Sequence, residues 1–135
     1  MIGILIITEN ETSKEQLKSV VRLLGEQPHC RAVVLSSELS QDDMLRIVQD
    51  NIKLLKSDEI LVFHDLWGST QARVCQTFLK EGHVELISGY NFPMLLKSMT
   101  LRQSTKSFED FLKSLVQYGV KHIWHIQDSK THPKS

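Results

Sequence analysis

Gly3-Ile4-Leu5-Ile6-Ile7-Thr8, followed at once by Glu9-Asn10-Glu11, is the stretch that decides the fold of this chain. A short, nearly continuous apolar run rich in β-branched side chains, without polar alternation, describes a strand covered on both faces, as in a parallel sheet. Three more runs repeat the pattern: Arg31 to Ser36, Glu59 to His64 and Val84 to Gly89. Amphipathic segments lie between them. Leu17, Val20, Val21 and Leu24 recur at helical spacing, with Thr12 and Glu15 spaced as a capping box and Gly25 as the stop. A second helix starts at Ser40 and turns Met44, Ile47, Val48, Ile52 and Leu55 inward. A third spans about Thr70 to Lys80, with Ala72, Cys75, Phe78 and Leu79 inward, and a fourth opens at Pro93. A fifth runs from the cap Ser107 through Phe108, Phe111, Leu112, Leu115 and Val116 to Gly119, and Val120 to Gln127 reads as a last strand. Strands alternating with helices require right-handed crossovers, which gives an α/β fold: an open, doubly wound, mostly parallel sheet with helices on both faces.

Composition bounds the function. The 135 residues are 41% hydrophobic and 24% charged, enough for one domain, read as residues 1–127 with a flexible polar tail over 128–135. Sixteen basic and sixteen acidic residues give a formal net charge of +0, so no overall field recruits nucleic acid or an anionic membrane. No apolar run approaches the roughly 20 residues of a membrane span. Met1 opens directly onto a strand without a basic leader, which predicts no signal peptide. Cys30 and Cys75 lack metal-ligand spacing and read as reduced thiols of a cytoplasmic protein. His122 and His125, three apart in the expected last strand, point to opposite faces and make no metal pair.

In an open doubly wound sheet, chemistry sits beyond the carboxyl ends of the strands where the order reverses; for an order 2-1-3-4 that is between the first and third strands. Two segments fall there: Thr8-Glu9-Asn10-Glu11 and His64-Asp65-Leu66-Trp67-Gly68-Ser69-Thr70. Glu9 also fits a plain loop carboxylate near a helix N-terminus, where negative charge is mildly favourable. His64 adjoins Asp65, but neighbours along a strand face opposite ways, so His64 reads as a core residue first and as a phosphate acceptor second.

Three motifs in order make the chain resemble the enzyme IIA domain of the mannose/fructose family of the bacterial sugar phosphotransferase system. They are the opening strand Met1 to Thr8, the loop Asp65-Leu66-Trp67-Gly68-Ser69-Thr70, and Gly89-Tyr90-Asn91-Phe92-Pro93-Met94-Leu95. The resemblance implies a phosphohistidine at the position of Glu9, charged by the histidine-containing phosphocarrier protein and discharged to a IIB domain. It implies that Asp65 orients that histidine, and that Thr8, Asn10, Trp67, Gly68, Ser69 and Thr70 bind phosphate or partner. It also implies a homodimer that exchanges the C-terminal strand, antiparallel at the sheet edge, and neither cofactor nor metal. An imidazole attacks phosphorus, a carboxylate supports the imidazolium, and hydroxyls and amides hold the phosphoryl oxygens. Here the family's His-Gly is Glu9-Asn10, its second glycine is Ser69 and its proline is Gln71. A glutamate forms no phosphohistidine, so a degenerate docking or regulatory protein is expected. The alternatives are a carrier using His64, or a receiver-like domain in which Glu9, Glu11 and Asp65 hold magnesium and Asp65 accepts phosphate. The Asp-Leu-Trp-Gly and Asn-Phe-Pro-Met-Leu motifs disfavour the receiver.

Overall fold

The computed structural model describes residues 1–128; apart from Asp128, the expected tail lies outside them. The chain divides into two compact units, Met1–Tyr90 and the segment from Asn91 onward. The first unit holds β1 (Gly3–Thr8), α1 (Thr12–Leu24), β2 (Cys30–Val34), α2 (Gln41–Leu55), β3 (Ile60–His64), α3 (Thr70–Gln76) and β4 (Val84–Ser88). All four strands are parallel, in the order β2-β1-β3-β4. The expected parallel order 2-1-3-4 is thus the observed one, without the expected C-terminal edge strand among the described residues.

Every residue of β1 is buried, as its unbroken apolar pattern requires of a strand flanked on both sides and covered on both faces. Leu5, Ile7 and Val62 pack with Met44, Val48 and Leu55 of α2 and with Val74 and Cys75 of α3. The crossover from β1 to β2 through α1 and that from β2 to β3 through α2 run in opposite directions across the sheet, so right-handedness places those helices on opposite faces.

Two helix ends differ from expectation. Thr12 is not the cap of α1 but its first residue, and Glu11 precedes it without a side-chain cap. The free amides are taken from farther back, by Asn10 and Thr8, while Glu15 pairs outward with Lys18 at 3.2 Å. Helix α3 stops at Gln76, because the next amides tighten onto carbonyls three residues back, Phe78 on Cys75 and Leu79 on Gln76. Leu79, expected inward, is exposed.

The second unit is the pair α4 (Phe92–Leu101) and α5 (Phe108–Lys121). Asn91 caps α4 through the Met94 amide at 3.0 Å, and Ser107 caps α5 through the Asp110 amide at 3.1 Å. Between the helices, the Asn91 side-chain amide donates to the Gly119 carbonyl at 2.8 Å. The last segment departs from the expected strand. Helix α5 continues through Val120 and Lys121, and residues 123–127 form no strand in the single chain. An isolated strand has no ladder to complete, whereas the helix end gains two side-chain bonds. His122 Nδ1 meets the Tyr118 carbonyl at 2.7 Å, and Trp124 Nε1 donates to the Lys121 carbonyl at 2.7 Å.

Candidate functional site

Register pairs Ile7 with His64, so the two expected segments leave β1 and β3 side by side at the switch point. The first turns sharply into α1. Thr8, fully buried, donates its hydroxyl to the Asn10 carbonyl at 2.7 Å and accepts the Ser13 amide at 2.9 Å. Asn10 Oδ1 accepts the Thr12 amide at 3.0 Å, and the Ser13 hydroxyl donates to the Val33 carbonyl of β2 at 2.9 Å. Two of the amides at the start of α1, those of Thr12 and Ser13, are therefore occupied by the chain's own side chains. Glu9, between these braces, is exposed.

The second segment is built around His64. Its ring is buried, 1% exposed, on the face of β3 that Ile60 and Val62 share. Nδ1 lies 2.7 Å from the Ile7 carbonyl, which can only accept, so this nitrogen carries the proton. In the neutral ring Nε2 is then an acceptor, and it faces the Ser69 hydroxyl at 3.0 Å. Ser69 also caps α3, its oxygen accepting the Ala72 amide at 3.1 Å. Both nitrogens of His64 are engaged, which argues against its direct attack on phosphorus. Asp65 has half its side chain exposed, and its Oδ1 is 3.6 Å from His64 Nδ1, a charge neighbour beyond hydrogen-bond length.

Between Asp65 and Ser69 the chain makes a β-turn. The Ser69 amide approaches the Leu66 carbonyl at 3.5 Å, and Gly68, at φ 90°, supplies the left-handed residue of a type II geometry. The turn presents Leu66 and Trp67, 65% and 56% exposed. Thr70 is exposed beside it. Gln71, at the family's proline position, is buried and donates to the Leu35 carbonyl at 3.1 Å. A proline could not make that bond.

Tyr90 belongs to this crevice and was missed. Its ring packs on Phe63 with centroids 5.1 Å apart, and its hydroxyl donates to Gln16 of α1. Burial pushes its phenol up to about 12; the Asp65 charge adds to the shift and the Gln16 bond opposes it. Its place directly after the fourth strand, inside the Gly-Tyr-Asn motif, was the available signal. Among the described residues no group of three or more His, Cys, Asp or Glu is placed to hold a metal ion.

A parallel 2-1-3-4 sheet with an Asp-Leu-aromatic-Gly turn at its switch point defines an enzyme IIA fold of the mannose type. The chain belongs to that family: the EIIA-man family, described as the PTS system fructose IIA component, matches residues 3–116. It is 29% identical over 132 residues to YadI of Escherichia coli K12, a candidate phosphotransferase enzyme IIA component, covering 94% of this chain and 90% of that protein. It is 26% identical over 122 residues to the mannose-specific EIIAB component of the same organism, covering 87% of this chain but 37% of the longer relative. The mannose/sorbose-specific IIA subunit from Enterococcus faecalis has the same fold, with a TM-score of 0.83 at 17% identity, covering 96% of this chain and 98% of that one.

Proposed function

We propose that this chain is a docking or regulatory member of the mannose-type enzyme IIA family, acting in the cytoplasm without a phosphohistidine. The carrying observation is Glu9, exposed at the end of β1 where the resemblance puts the acceptor histidine. A carboxylate there supplies one negative charge without phosphorylation, a partial imitation of a phosphate carrying roughly 1.5 to 2. Thr8 and Asn10 support the reading, since they already engage two of the α1 first-turn amides, those of Ser13 and Thr12. Leu66 and Trp67, exposed next in the chain to the half-exposed Asp65, offer an apolar contact with an acidic neighbour. Such a surface suits a phosphocarrier or IIB-like domain whose own contact is apolar with a basic rim. Incubation with enzyme I, phosphocarrier and labelled phosphoenolpyruvate should leave no acid-labile, base-stable label. Glu9→Gln should weaken binding of the phosphocarrier or IIB domain several-fold at low salt and less at high salt, with an unchanged melting profile. Acid-labile label on the wild-type chain would return it to the phosphohistidine carriers, and binding indifferent to Glu9→Gln would reduce Glu9 to a loop carboxylate.

A further inference from the structure

We propose that Ser69 is a nucleophile, with His64 as its general base, and that it accepts a phosphoryl group from a phosphoramidate or acyl phosphate donor. The two residues have a defined proton arrangement. The Ile7 carbonyl fixes the proton of His64 on Nδ1, which leaves the Nε2 lone pair directed at the Ser69 hydroxyl 3.0 Å away. The Ala72 amide donates to the same Ser69 oxygen at 3.1 Å, so the hydroxyl hydrogen is left to point at Nε2. A hydroxyl hydrogen-bonded to an imidazole whose opposite nitrogen is held by a third group is the arrangement that activates serine. Asp65, with Oδ1 3.6 Å from Nδ1, adds a negative charge beside the imidazolium that forms. His64 is buried while Ser69 is half-buried on the turn, so the base is shielded and the nucleophile's residue meets solvent.

The step balances. Ser69 Oγ forms a bond to phosphorus as the donor's P–N or P–O bond breaks, the Oγ proton passes to His64 Nε2, and the departing amine or carboxylate, or water, takes it up. The product is a phosphate monoester, far more stable than the donor, so it marks the crevice rather than carrying phosphate onward. This inference rests on the reading of the crevice as one that meets phosphoryl donors, and small donors separate the two.

The wild-type chain treated with potassium phosphoramidate or acetyl phosphate should gain one acid-stable, alkali-labile phosphate, mapped by peptide mass spectrometry to Ser69. Ser69→Ala should abolish it, and His64→Gln should slow it on the order of a hundredfold. A fluorophosphonate probe should mark Ser69 in the wild type, which tests activation without any variant. Phosphate at Ser69 without phosphocarrier or IIB binding would uphold this proposal and sink the docking reading. No adduct at Ser69 from either small donor or probe, or labelling that survives Ser69→Ala, overturns the proposal even where partners bind.

Discussion

Thr8 shows how much one small side chain can carry. Its hydroxyl donates to the part-buried Asn10 carbonyl and accepts the buried Ser13 amide, so Thr8→Val keeps the shape and leaves the Ser13 amide unmatched away from solvent. Each buried unsatisfied polar group costs about 1–3 kcal/mol, and the variant should lose at least that in urea unfolding. Thr8→Ser, which keeps the hydroxyl, should lose less. Tyr90 sets a second test at this scale. Its phenol is raised in the folded chain from 10.0 to about 12, so the folded state holds this proton longer than the unfolded state. The stability due to this group is complete below pH 10.0 and is lost as pH rises toward about 12. Tyr90→Phe should flatten that alkaline decline; an unchanged slope would assign it to other groups.

At the scale of elements, Asn91 joins two helices by two different bonds, and substitutions can separate them. Its oxygen caps α4 at the Met94 amide while its side-chain nitrogen donates to the Gly119 carbonyl of α5. Asn91→Ala loses both and should cost about 1–2 kcal/mol for the cap alone. Asn91→Asp keeps the cap but turns a second oxygen toward a carbonyl, so it too should destabilise the chain, through the α4–α5 contact. Thermal melts that found Asn91→Asp as stable as wild type would show that the Gly119 bond contributes nothing. The four parallel strands and most helices were legible because burial on both faces and helical spacing are written in local residue order, whereas the strand read at Val120 to Gln127 is instead a helix end and a non-strand segment. The capping of α1 was not, because Thr8 reaches Ser13 across a turn whose shape depends on β1 being pinned between β2 and β3. The alternation argument put His64 in the core correctly, yet its bonds to Ile7 and Ser69 needed a neighbouring strand and a turn no periodicity describes.

For the whole molecule, the exposed apolar residues near the C-terminus raise the question of a second copy. Val120, Ile123, Trp124 and Ile126 are 64%, 74%, 44% and 55% exposed in the single chain, and Val116, one helical turn before Val120 on α5, is 45% exposed. Where such side chains form a large apolar patch, it marks an interaction site. Residues 123–127 make no strand of their own, and apart from a bridge between Lys80 and Val84 no strand pairs with the outer side of β4 among the described residues, an edge that proteins usually cover. Exchange of residues 123–127 between two copies would bury the apolar side chains and complete both sheets, which is the dimer we propose. Sedimentation should then find a dimer at micromolar concentration. Trp124→Glu with Ile126→Glu should shift it to monomer, since charge is poorly tolerated at the centre of an interface. Truncation after His122 spares α5 and should do the same while keeping the first unit's melting transition. A wild-type chain that sediments as a monomer at every concentration, or a truncated chain that still dimerises, would overturn the exchange.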